Sequence, residues 1–188
     1  MRTKGNAMGT RTKHAEGRTD RDQSPRGPSP GTESVDVRIR TARADDLEVL
    51  VGFNLAMARE TEALELDRAT VRSGVAALLS HPDRGRVLMV EEAGVAVAAL
   101  ALTLEWSDWR NGMFWWIQSV YVHPDHRRRG HYRRLHEHVR GLAAADPEVC
   151  GLRLYVEHEN RGAQATYRSL GMRETAYRLY EQGTRGSA

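Results

Sequence analysis

The sequence predicts an α/β fold, a mixed and mostly antiparallel central sheet flanked by helices in the order β-α-α-β-β-β-α-β-α-β. Three observations carry this. Val35, Val37 and Ile39 alternate with Asp36, Arg38 and Arg40 as in a half-buried strand. Leu47, Leu50, Val51, Leu55 and Ala58 recur at helical spacing. Phe114-Trp115-Trp116-Ile117 is apolar on both faces, as befits a central strand covered on both sides.

The elements follow in order. After the Val35 strand, Ala44-Asp45-Asp46 supplies a helix start. Asp67 can cap a second helix through Val71, Val75, Leu78 and Leu79, which Pro82 stops. Arg86 to Glu91 and Val95 to Leu104 flank Glu92-Ala93-Gly94, a hairpin signal. A second turn, Ser107 to Gly112, ends in Asn-Gly and leads into a strand from Met113 to Val122. A helix from about Gly130 to Ala145 puts Tyr132, Leu135, Val139 and Leu142 on one face. Gly151 to Glu157 alternates as a strand, Asn160 to Leu170 reads as a short helix ended by Gly171, and Met172 to Tyr180 is expected as a closing strand.

Residues 1–34 scatter Gly, Ser, Pro and Thr among charges and lack the side chains to offset ordering entropy, so they read as a disordered tail before a domain at 35–188. An artefact of start assignment, with Met8 or a later codon as the true start, and a nucleic-acid-binding arm are the other readings of the tail. The chain has 188 residues, a formal charge of +3 and a single cysteine, Cys150. One cysteine can form no intramolecular disulfide and no thiolate cluster for zinc. The longest apolar run, Val95 to Leu104, is about half of a membrane-spanning helix. With no secretory h-region in the first 32 residues, the expectation is a soluble, cytoplasmic protein.

Seven basic and four acidic residues lie in 1–34, leaving 21 of each in the remainder. A neutral domain argues against nucleic acid as the partner. Its one dense basic patch is the five arginines between Arg127 and Arg134. The patch sits between the strand ending at Val122 and a helix start containing Gly130, where unpaired N–H groups and partial positive charge suit an anion such as phosphate. Mutual repulsion of these cations favours phosphate contact over a solvated helix start. Neither G-x-x-x-x-G-K-S/T nor G-x-G-x-x-G is present, so this is neither a P-loop nor a dinucleotide fingerprint.

The segment Val120 to Tyr132 resembles the GNAT superfamily of acyl-CoA-dependent N-acetyltransferases. Val120, Val122 and Pro124 follow that family's strand L-x-V-x-P in outline, and Arg127-Arg128-Arg129-Gly130-His131-Tyr132 follows its Q/R-x-x-G-x-G/A except at the last position. Asn160, Ala163, Tyr167, Gly171 and Met172 match its N-x-x-A-x-x-x-Y-x-x-x-G-F/M segment. The resemblance covers 35–181 in element order and implies a GNAT-like sheet with acetyl-CoA as cosubstrate.

The resemblance implies that the turn spanning Arg127, Arg128, Arg129, Gly130, His131, Tyr132 and Arg133 holds the pyrophosphate of coenzyme A. It also implies that the backbone of Val120, Tyr121 and Val122 pairs with the pantetheine arm. Tyr132 stands where the family has a small residue; it either crowds the pyrophosphate or points into the seam with Leu135 and Val139. Tyr167 matches the tyrosine that donates a proton to the departing thiolate, with core packing of its ring as the alternative. Asn160 either bonds pantetheine amides or caps its helix.

The general base is read as Glu105, at the end of an apolar strand beside Trp106, against an exposed hairpin glutamate; Asp108, Glu60 and Glu62 are further candidates. Glu60, Glu62, Trp106 and Asp108 are expected to bind a cationic amine through charge and ring faces. The histidines lack H-E-x-x-H spacing, so no metal is expected. The activity implied is direct transfer of an acetyl group to a primary amine of a small molecule or peptide in a ternary complex. A non-catalytic acyl-CoA-binding module is the alternative, no membrane partner is expected, and a homodimer stays open.

Overall fold

A computed structural model of the chain describes residues 36–184; the tail over 1–34 and Val35 lie outside them. Five strands form one sheet in the order β1-β2-β3-β4-β5. β1 (Val37–Thr41), β2 (Gly85–Glu92), β3 (Val95–Ser107) and β4 (Gly112–Val122) pair antiparallel in succession, and β5 (Val149–Arg153) lies parallel to β4. Helices α1 (Leu47–Glu62) and α2 (Arg68–Ser80) occupy the β1–β2 connection. Helix α3 (His131–Ala145) is the crossover from β4 to β5, and α4 (Arg161–Ser169) follows β5. None of the described helices is long and apolar enough to cross a membrane.

Period-two alternation along β2 and β3 sorts their side chains onto two faces. Leu88, Val90, Leu100 and Leu102 join Trp115 and Ile117 of β4 under Leu135 and Val139 of α3. Val87, Met89, Ala99 and Ala101 meet Leu50 and Phe53 of α1 and Val75 and Leu78 of α2. Both faces are thus covered, as the apolar runs imply, and the sheet presents its loops and strand ends for chemistry.

Local chemistry sets the element ends. Asp67 accepts the Thr70 N–H at 2.7 Å and caps α2. Ala93 and Gly94 both take positive φ, 52° and 79°, in the β2–β3 hairpin. Arg40 on β1 binds both carboxylate oxygens of Asp46, at 2.7 and 2.8 Å, and reaches Glu91 on β2 at 2.7 Å, fixing the entry to α1 against the sheet.

Two expected elements differ. The strand placed at Gly151 to Glu157 begins at Val149 and ends at Arg153, because its partner β4 carries a bulge just beyond the last shared pair, Trp116 with Arg153. The closing strand at Met172 to Tyr180 is not formed. Its apolar residues Met172, Ala176, Tyr177, Leu179 and Tyr180 fall at both odd and even positions, so no single face would be buried. Tyr177 and Tyr180 are 80% and 87% exposed.

Candidate active site

The site begins with a parting of strands. β4 pairs with β5 only from Met113 to Trp116; from Ile117 to Val122 its sole ladder partner among the described residues is β3. Opposite Ala101 and Leu102, the register jumps from Ser119 to Ile117 and leaves Gln118 as the extra residue. The free edge of Ser119–Val122 therefore faces residues 154–157, which have left the sheet. A cleft of about 1230 Å³ occupies the gap. It is lined by Ser119, Val120, Tyr121 and Val122, by Tyr155, Val156 and Glu157, by Asn160 and Tyr167, and on the α1 side by Glu60 and Glu62.

At one end of that edge, residues 123–130 turn into α3. The N–H groups of His126 and Arg127 are bonded to His123 and Pro124 carbonyls. Among the described residues, no acceptor meets the amides of Arg128, Arg129, Gly130, His131, Tyr132 or Arg133. Arg128 and Gly130 adopt left-handed φ of 63° and 82°, which turns successive amides into a concavity at the helix N-terminus. An anion is what such a surface accommodates.

The arginine side chains behave differently from the expectation that phosphate alone relieves their repulsion. The Arg127 guanidinium pairs with the Glu60 carboxylate, and its Nε donates to the Val122 carbonyl at 2.9 Å. Arg129 lies 3.1 Å from Glu92 and donates to the Asp125 carbonyl at 2.9 Å. Carboxylates from α1 and β2, distant in sequence, offset part of the charge. Arg128 and Arg133 remain exposed. His131 contributes its amide to the loop, while its ring is buried.

Tyr167 projects from α4 into the cleft, and burial pushes its phenol above the ordinary value, which keeps it protonated. Tyr132 packs against the core cluster that contains Leu135 and Val139 and meets Tyr167 edge to face, centroids 5.7 Å apart. The large residue thus lies in the seam between α3 and α4. Burial pushes its phenol up as well. Asn160 takes the capping role: its Oδ1 accepts the Ala163 N–H at 3.0 Å.

Glu60 and Glu62 line the cleft, but Glu105, Trp106 and Asp108 do not. β3 continues to Ser107, so Glu105 lies within the ladder opposite Phe114 and not at the open end of the sheet. Both its oxygens are engaged, one by the Trp116 indole N–H and the other by Arg153 at 2.7 Å. Asp108 accepts the N–H of its neighbour Trp109, and Trp106 stays exposed on the hairpin. Residues that sequence reasoning left out also line the cleft, namely Gln118, Tyr155 and Glu157. The bulge that places Gln118 there has no signature in the alternation of β4.

Residues 50–172 match the acetyltransferase (GNAT) family, and the chain belongs to that family. Among solved structures it is similar to a possible acetyltransferase from Clostridium difficile 630, at 43% identity and a TM-score of 0.76, over 81% of this chain and 99% of the other. The aminoglycoside N-acetyltransferase AAC(6')-Iy, solved in complex with CoA, shares the fold at 15% identity and a TM-score of 0.68, over 82% and 99% of the two chains. So does a ribosomal-protein-alanine N-acetyltransferase from Brucella melitensis biovar Abortus 2308, at 15% identity and a TM-score of 0.63, over 79% and 99%. No curated protein matches the chain.

Proposed function

We propose that the protein transfers the acetyl group of acetyl-CoA to a primary amine by direct attack in a ternary complex. One observation carries the reading: an unpaired β4 edge leads from Tyr167 to a loop whose six amides lack acceptors among the described residues. The backbone groups of Val120–Val122 that point away from β3 suit the amide-bearing pantetheine arm, apart from the Val122 carbonyl, which Arg127 holds, and the amides of 128–133 suit the pyrophosphate.

In this arrangement the β4 edge orients the thioester so that its carbonyl lies where the strands part. A neutral amine nitrogen forms the new C–N bond. As the C–S bond breaks, Tyr167 gives its proton to the sulfur, and the proton lost by the nitrogen passes to water or to a carboxylate. A phenol held neutral by burial is the right form for a proton donor. Of the carboxylates in the cleft, Glu60 is already bonded to Arg127 and to the Tyr121 hydroxyl. Glu62, and Glu157 through the oxygen that the Glu159 N–H does not occupy, remain to attract a cationic amine and to receive its proton through water.

The engagement of Glu105 favours the second reading, an acyl-CoA-binding module without turnover, over any scheme in which that residue is the base. A thiol-release assay with acetyl-CoA against polyamines, aminoglycosides, amino acids and peptide N-termini separates the two. Amine-dependent thiol release is expected; binding of acetyl-CoA without release from any amine would establish the module instead.

A further inference from the structure

Glu92, the last residue of β2, converges with His126 of the Pro124–His126 turn and His131, the first residue of α3. One candidate ligand atom from each lies within 4.8 Å of the other two. We propose that these three residues bind a divalent transition-metal cation of the zinc class.

His131 is the observation that asks for a ligand. Its side chain is 1% exposed, and neither ring nitrogen has a hydrogen-bond partner among the described residues. A buried, unpaired imidazole is costly, and most buried polar groups avoid that state. Its Nε2 stands 3.5 Å from Glu92 Oε2, too far for a good hydrogen bond and close enough for a shared cation. His126 Nδ1 meets the same Glu92 oxygen. One carboxylate oxygen thus faces two imidazole nitrogens.

Two imidazoles and one carboxylate suit zinc and its neighbours; calcium and magnesium prefer oxygen donors throughout. Three protein ligands leave a coordination position for water. Arg129 opposes the cation, lying 3.1 and 3.3 Å from the two Glu92 oxygens. It contacts both oxygens, Oε1 slightly the closer, so a metal at Oε2 competes with it and its charge lowers the affinity. None of the three ligands lines the acyl-transfer cleft. The His131 amide belongs to the pyrophosphate loop, but metal binding is read directly and so is tested separately from acyl transfer. Bound metal would tie the β2–β3 hairpin to the loop that carries the free amides. Spacing alone concealed the group, because Glu92 comes from 34 residues before His126.

The test uses the full-length, tag-free protein stripped of metal by a chelator. Calorimetric titration with Zn²⁺ is expected to show one equivalent bound, and Co²⁺ to give visible d–d absorption. Glu92→Gln and His126→Ala should each weaken binding more than about 100-fold, since even groups one step removed from a metal cost 10–100-fold. Arg129→Gln should tighten it. If a variant fails to fold, the wild-type imidazole NMR signals still decide: those of His126 and His131 must shift with zinc. No stoichiometric binding, binding that both ligand variants leave within twofold, or shifts confined to other histidines would overturn the site and leave a hydrogen-bonded cluster.

Discussion

The rings of Tyr132 and Tyr167 meet edge to face at 69°, one from the first turn of α3 and the other from α4. This contact closes the apolar side of the cleft and explains how a large residue is tolerated at the end of the arginine turn. The ring is directed into the helix seam, so the loop amides stay open.

The same contact gives a stability prediction. The Tyr132 hydroxyl is buried and finds no partner among the described residues. Tyr132→Phe removes an unsatisfied group while keeping the ring, and should stabilise the fold by about 1 kcal/mol. Urea denaturation measures this. A loss of stability would show that the hydroxyl is bonded, to water or to Tyr167.

Arg40 and Asp46 give a pH prediction. The Arg40 guanidinium is the main reason that the Asp46 carboxyl titrates below the ordinary aspartate range. A lowered native value means that this contribution is complete above the unfolded value of about 3.9 and fades as pH falls through the native one. Asp46→Asn leaves Arg40 partly buried with one partner fewer and should cost roughly 3 kcal/mol at neutral pH. The variant should also lose part of the acid sensitivity seen in wild-type unfolding curves. Equal stability of the two proteins at pH 7 would refute the role given to the pair.

Gly85 combines crowding with backbone strain, at φ 146°, whereas Gly94 carries the strain alone. A Cβ on Gly85 would lie 1.9 Å from the Leu102 carbonyl oxygen, whereas Gly94, at φ 79°, has open space. Gly85→Ala should cost at least about 3 kcal/mol, because β2 must shift away from β3. Gly94→Ala should cost about 1 kcal/mol, the left-handed penalty alone. Thermal melts of the two variants check the order, and a reversed order would contradict the register at the start of β2.

Much of this was legible in the sequence. The alternation of Val37 and Ile39 with charged neighbours, the apolar run of Val87 to Val90 and the helical spacing of Leu50, Leu135 and Val139 report burial directly, so the sheet and three long helices follow from them. The turn before α3 was legible because Gly130 and its flanking strand and helix are local features. Long-range pairing was not. Nothing near Arg127 or Arg129 announces that Glu60 and Glu92 come to meet them, and nothing near Glu105 announces Arg153. The closing strand failed for a related reason: residues 172–180 have strand-like composition, but their apolar positions do not share a face. The parting of β4 from β5, on which the cleft depends, arises from the bulge at Gln118, and a bulge leaves no period in the sequence.

The central claim is that Tyr167 delivers the proton that releases coenzyme A. It is tested most directly by comparing amine-dependent thiol release in the wild-type protein and in Tyr167→Phe, with acetyl-CoA binding measured in parallel by calorimetry. Loss of a general acid should lower kcat by about 10²–10⁴-fold. The dissociation constant for acetyl-CoA should stay within about twofold, because the β4 edge and the loop amides are untouched. A variant that turns over at the wild-type rate on a verified amine would contradict the account.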